Sequence, residues 1–303
     1  MPPNAPRNWI LVVLYIGMIV PWGLNFLFVH LGLGYSPPVW LAAVRAALGT
    51  GGVAVGLLVW SSGARLTARE RRDSLLLGIP TTGLFFALWF QAATQVPPGQ
   101  TAVLVYTFPL WVAILSFLVL SERPPRLTWP SIVVGFLGVV LLEQPWQNGA
   151  GHTPLAAVLE LLGAAVCWAV GTVFLKWRIR GPALRAANAW QLLSGAAVLF
   201  ILAVVFEPDP TVTWTTSLVA SVLWLGLVGT ALGNVAWFAL LERYPASTVS
   251  TWAFLTPVVA VGASIAIFGE RLGAFQLVGV AAVLGSVFVV ARIAARETRS
   301  PTR

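Results

Sequence analysis

Apolar residues in this chain come in runs of about 20, broken by short polar or charged turns, and the alternation repeats along the whole length. Ten such spans can be drawn, at roughly 9–30, 37–60, 74–95, 99–121, 128–143, 155–177, 186–206, 215–240, 247–269 and 274–292. A helix rises about 1.5 Å per residue, so runs of this length cross a hydrocarbon core about 30 Å thick; the fifth is the shortest. The pattern predicts an all-α polytopic membrane protein of ten transmembrane helices, with no soluble domain left over.

The fourth span is interrupted at Tyr106-Thr107-Phe108-Pro109, and the interruption recurs. A shift of 148 residues lays Tyr244–Arg271 on Val96–Arg123, so that Pro97, Pro109, Ser116, Glu122 and Arg123 meet Pro245, Pro257, Ser264, Glu270 and Arg271. A shift of 146 sets Pro21-Trp22-Gly23 against Cys167-Trp168-Ala169. The chain therefore reads as two five-helix repeats, residues 1–148 and 149–293, followed by a basic tail, 294–303. The polar stretch Gln144–Pro154 marks the midpoint.

Composition narrows the class. With 58% hydrophobic and 9% charged residues, the chain has too little charge to cover a water-facing surface. A net charge of +8 would suggest nucleic acid for a soluble protein, but here the arginines sit in connections and tail. Placing the N-terminus in the cytoplasm puts Arg65, Arg69, Arg71, Arg72, Arg123, Arg126, Lys176, Arg178, Arg180, Arg185, Arg243 and the tail arginines inside. Arg271, with Glu143, Glu207, Asp209 and Glu270, is left outside. Positive charge is retained on the cytoplasmic face, so both termini are expected there. An odd number of helices per half then makes the repeats inverted, an arrangement used by transporters whose central site opens alternately to either face.

The Trp22-Gly23-Leu24-Asn25-Phe26 motif, Ala43-Val44-Arg45, the Thr256-Pro257 break and the Gly269-Glu270-Arg271 end, repeated as Ser121-Glu122-Arg123, resemble the drug/metabolite transporter superfamily. The likeness is to its EamA-type ten-helix exporters, including those of amino acids and aromatic amino acids, and covers nearly the whole chain. The resemblance implies a basket in which the first four helices of each half enclose a central cavity and the fifth lies outside. The sequence departs from the pattern at Phe108-Pro109, where the second half has Thr256-Pro257.

Candidate residues follow from depth and polarity. Proline removes a backbone hydrogen bond and crowds the preceding turn, so Pro21, Pro80, Pro109 and Pro257 are expected to kink their helices. Pro109 and Pro257 lie about 15 Å into their spans, which is mid-bilayer, and are the hinge candidates. Substrate-pathway candidates are Trp22, Asn25, Phe26, Trp89 and Tyr106 in the first half and Trp168, Gln191, Asn234, Trp237, Trp252 and Thr256 in the second. Gln91 and Thr172 are further polar groups within spans. Arg45 is too deep for a casual surface charge; it either binds a substrate carboxylate or serves as a structural lock, the role the sequence favours. Glu160 is the comparably placed acid, and a pair between the two is one possibility. Lys176, Arg178 and Arg180 are expected to reach anionic headgroups. The glycines 226, 229 and 233 read as close-packing positions.

Enzymatic readings find little support, since His30 and His152 stand in helix-end or loop positions and no His-Glu-x-x-His or Gly-x-Ser-x-Gly string occurs. Cys167 is the single cysteine, so neither a disulfide nor a metal site is implied, and no cofactor is called for. The expected partners are a small-molecule substrate and the lipid bilayer of the inner (plasma) membrane, not nucleic acid. The function expected is export of small organic metabolites, amino acids foremost, by alternating access. A drug or quaternary-cation exporter and a non-transporting scaffold or sensor remain as alternatives.

Overall fold

The computed structural model describes residues 8–59, 66–96, 98–122, 125–144, 154–179, 181–268 and 273–297. Among them the regular structure is helical, without strands. The helices are α1 (Asn8–Leu33), α2 (Pro38–Val59), α3 (Ala68–Gly78), α4 (Phe85–Ala92), α5 (Pro98–Val105), α6 (Phe108–Val119) and α7 (Thr128–Glu143). They continue as α8 (Leu155–Arg178), α9 (Ala183–Phe206), α10 (Thr216–Leu223), α11 (Gly233–Leu241), α12 (Ala246–Trp252), α13 (Leu255–Phe268) and α14 (Ala274–Glu297). π-helical segments, Ile79–Leu84 and Trp224–Leu232, join α3 to α4 and α10 to α11 into continuous rods. Eight of the resulting helical stretches are long and apolar enough to cross a membrane, and Thr128–Leu141 and Ala246–Ala260 are shorter apolar helices. The chain is a multi-pass membrane protein.

Local chemistry sets several boundaries. The third rod starts at Ala68 rather than near 74, because Thr67 and Glu70 form a reciprocal capping box that carries the helix out through a charged first turn. The fourth span parts at Tyr106-Thr107, and its counterpart at Ala253-Phe254. In each case the gap follows or includes the residue four before a proline, Val105 for Pro109 and Ala253 for Pro257, where the ring would crowd the carbonyl. Pro80 falls in the first π-helical segment, whereas α1 runs through Pro21 as one helix. The second π-helical segment has no proline; there Thr230 Oγ1 donates to Leu225 O at 2.7 Å, five residues back.

Packing joins the two halves of the chain throughout. The Trp224–Leu232 segment, α11 and α13 lie against α1, and the Ile79–Leu84 segment, α4 and α6 lie against α8. α2 packs on α9, and α7 on α14. Between membrane helices there is little hydrophobic drive, so small residues that admit close contact carry the association. A Cβ on Gly138 would stand 2.9 Å from Gly279 O and Val283 N, and Ser286 Oγ donates to Ser131 O at 2.6 Å in the same α7–α14 seam. The outward surfaces carry exposed apolar side chains such as Leu137, Phe206, Leu284 and Phe288, as lipid contact requires.

Candidate functional site

The centre of the bundle holds a cavity where both halves of the chain meet. Its wall comes from Trp22, Asn25 and Phe26 of α1, Arg45 of α2, and Phe85, Phe86 and Trp89 of α4. Val105, Tyr106 and Phe108 at the α5–α6 break, Trp168 of α8, and Gly229, Thr230 and Asn234 complete it. On α1 and α4 the contributing residues are three and four apart and so share one helix face.

Aromatic rings make most of this wall. Trp22 meets Trp168 edge-on at 5.5 Å between centroids, Phe85 lies 5.0 Å from Trp168, and Phe26 lies 5.4 Å from Trp89 and 6.0 Å from Tyr106. Tilted and edge-to-face contacts of this kind are the favoured arrangements for aromatic quadrupoles. The rings close on one another and leave a volume of only ≈ 40 Å³. Ligand pockets run to roughly 300–1,000 Å³, so this wall must part before it can hold a small organic molecule.

Arg45 is the charged member of the lining and is 2% exposed. Its Nε donates to Thr230 Oγ1 at 2.9 Å. The Asn25 amide, oriented by its neighbours, donates to Pro21 O and accepts from Arg45 Nη2, both at 3.2 Å. The guanidinium lies 4.2 Å from the Phe86 ring centroid and 5.4 Å from that of Trp89. Among the described residues neither Arg45 nor Glu160 takes part in an ion pair, so the two do not form the pair that the sequence left open.

Two glycines give the wall its shape. A Cβ on Gly229 would collide with the Asn25 amide, and one on Gly233 with the Trp22 indole. Trp22 Nε1 also donates to Gly229 O at 3.1 Å. In the sequence these glycines read as close-packing positions and Phe108 only as part of the helix break, while Phe85, Phe86, Val105 and Thr230 carried no assignment. The available signal was spacing: Phe85 and Phe86 precede Trp89 by four and three residues, and Thr230 precedes Asn234 by four.

Comparison with known proteins places this architecture. The EamA-like transporter family matches residues 8–143 and residues 155–292. The chain belongs to the EamA-like transporter family. A "probable amino-acid metabolite efflux pump" of Salmonella typhimurium is 28% identical over 284 residues, covering 90% of this chain and 91% of that protein. Protein PecM of Dickeya dadantii is 31% identical over 230 residues, 75% of this chain and 76% of that protein, and the uncharacterized transporter YoaV of Bacillus subtilis is 28% identical over 253 residues, 81% and 84%. A solved crystal structure shares the fold with a TM-score of 0.76 at 19% identity, covering 93% of this chain and 97% of the other.

Several candidates of this EamA-like transporter fall behind or away from the lining. Trp237 is fully buried and backs the wall through ring contacts with Trp22 at 5.3 Å and Trp168 at 5.9 Å. Gln191 is buried on α9 where Gly78 of α3 approaches its backbone, and Trp252 stacks on Tyr15 at 4.2 Å. Thr256 is buried at the α12–α13 break, where a Cβ on Gly23 of α1 would stand 2.8 Å from its carbonyl. Gln91 is exposed on the outer surface, and Thr172 is buried. Glu160 lies two helical turns from Trp168, about 12 Å along the axis of α8.

At one end of the bundle Lys176 turns inward instead of reaching for headgroups. Its Nζ donates to Glu122 Oε1 at 3.2 Å and to Tyr244 O. The Glu122 carboxylate also accepts from Ala246 N at 3.0 Å and from Ser247 Oγ at 3.2 Å, capping α12. Nearby, Arg185 Nε donates to Glu242 Oε1 at 2.7 Å, and burial pushes the Glu242 carboxyl up although this arginine opposes it. Glu122, Lys176 and Glu242 border a recess of ≈ 510 Å³. At the opposite end Glu207 caps α2 through Val39 N and Trp40 N, at 3.1 and 3.0 Å. Arg178, in the same last turn of α8 as Lys176, approaches Asp73 at 3.7 Å. Pro97, Arg123, Arg180, Glu270 and Arg271 lie outside the described residues.

Proposed function

We propose that the chain exports small organic metabolites, amino acids foremost, across the inner membrane by alternating access through the central cavity. The observation that carries this reading is the cavity itself: it is lined from both halves, lies beside the break that precedes Pro109, and is too small for a substrate until its walls move. The reading takes the ten apolar helices as ten crossings, in inverted repeats 1–148 and 149–293 with both termini cytoplasmic. Support comes from the family match to two stretches, from π-helical segments in the third rod of each half, and from the paired breaks. The efflux-pump name of the Salmonella relative favours amino-acid metabolites as cargo.

In this mechanism the substrate pathway runs past Trp22, Asn25, Phe26, Trp89, Tyr106, Trp168 and Asn234, with Trp237 backing the wall. Pro109 and Pro257 are the hinges, because each follows a break inside the bundle, between α5 and α6 and between α12 and α13, about which the two helical pieces can swing. The recess beside Glu122 and Lys176 serves as the cytoplasmic vestibule. The test is counterflow of amino acids and related metabolites in proteoliposomes, repeated with Asn25→Ala and Trp237→Ala. Movement of none of them, with a soluble partner co-purifying on the basic loops, would refute export in favour of a scaffold. Undiminished transport in both variants would remove these two residues from the pathway.

A further inference from the structure

The polar atoms of the central cavity are unevenly matched. Three buried side-chain atoms of its lining lack a hydrogen-bond partner: Arg45 Nη1, Trp89 Nε1 and Trp168 Nε1. All three are donors, since neither a guanidinium nor an indole N–H can accept. Nη1 carries two N–H groups, while Nε and Nη2 are already engaged by Thr230 and Asn25. No carboxylate pairs with this cation among the described residues. The rings of Phe86 and Trp89 soften its burial through their faces but accept nothing from Nη1 in the manner of an oxygen. A buried, uncompensated cation among donors that lack acceptors is costly, and is relieved by an anion that accepts several hydrogen bonds at once.

We infer that Arg45 is the docking point for the carboxylate of the transported molecule, and that the substrates are monocarboxylates with an apolar or flat body. The carboxylate accepts from Nη1, and the indole N–H groups of Trp89 and Trp168 offer further donors as the wall parts. The body of the molecule replaces the ring-to-ring contacts of Trp22, Phe26 and Trp168. Among the described residues the lining contains no acid to receive an ammonium group, so an amino group on the ligand is tolerated and not required. The same positive charge repels organic cations, which separates this site from one built for quaternary ammonium compounds. The inference rests on the transport reading for its meaning as a substrate site, but the anion site is testable by itself.

The experiment uses the purified full chain in nanodiscs and one apolar body with three end groups: phenylpropanoate, phenylpropanamide and phenylpropylamine. Calorimetry is expected to give binding of the carboxylate at least about tenfold tighter than that of the amide, with the amine weakest. In Arg45→Gln the carboxylate should lose this advantage, and in Trp168→Phe, which keeps an aromatic ring but drops the N–H along with the five-membered ring, carboxylate binding should weaken several-fold while amide binding changes less. Equal or tighter binding of the amide to the parent protein overturns the proposal, even if Arg45→Gln does not fold, and so does an absence of binding by all three. The same compounds are then tested in counterflow. Carboxylate binding without movement of any compound leaves the anion site standing and removes the transport reading; movement without carboxylate preference does the reverse.

Discussion

Arg45 Nε donates to Thr230 Oγ1 over 2.9 Å, and this bond ties the buried cation of α2 to the π-helical segment between α10 and α11. The single proton of the hydroxyl is committed elsewhere, going to Leu225 O at 2.7 Å. The wide turn therefore presents Thr230 as an acceptor to the cation and leaves the remaining guanidinium edge for the cavity.

Thr230→Val keeps the shape of the side chain and removes both bonds. It should destabilise the protein by about 1–3 kcal/mol, the cost of leaving a buried donor unmatched, while Thr230→Ser should retain most of the stability. Thermal unfolding of the purified variants checks this; a valine variant as stable as the parent would show that the bond does not hold the cation.

Gly229→Ala and Gly233→Ala should fold and lose transport, because the new methyl groups displace Asn25 and Trp22 from the wall. Gly51→Ala is the contrasting case: it lies within α2 with open space around its Cβ position, so no loss of stability or transport is expected. Proteoliposome transport and melting of all three variants test the assignment together.

The Glu122–Lys176 pair, 15% and 19% exposed, is sheltered enough to matter energetically. A double-mutant cycle with Glu122→Gln and Lys176→Met should give a coupling of about 0.5–3 kcal/mol in thermal stability. Additive effects would show that Glu122 acts only as the cap of α12.

Pro109→Ala and Pro257→Ala restore a backbone donor near the two breaks. Each should change the rate of counterflow more than the concentration at which it is half-maximal, as expected of joints and not contacts. Rates equal to the parent in both variants would return the prolines to a packing role.

Much of this protein was legible in its sequence. Runs of about 20 apolar residues leave no other solvent than lipid, and lipid in turn demands that backbone groups be satisfied within each segment, so the helices follow from hydropathy. The breaks followed from Pro109 and Pro257, and the aromatic and amide residues on one face of α1 followed from helical spacing. Gln191, Trp252 and Thr256 carried the same polarity and depth, yet they lie against neighbouring helices instead of the cavity. Hydropathy ranks depth, not direction, and a helix buried on most sides gives no amphipathic stripe from which direction could be read.

What the sequence determined by itself is the membrane class, the family resemblance and the existence of breaks ahead of Pro109 and Pro257, because each rests on local chemistry or on residue strings; α1 nevertheless runs unbroken through Pro21, and the π-helical segment Trp224–Leu232 has no proline to announce it. What only the tertiary structure decided is which charges meet. Lys176 was expected at the headgroups and instead spans to Glu122, 54 residues away, while Arg45 was weighed against Glu160 and instead meets Thr230, 185 residues away. Such pairings depend on which helices are neighbours, and that is set by small residues admitting close approach at particular faces, a property of surfaces brought together and not of any one stretch of chain.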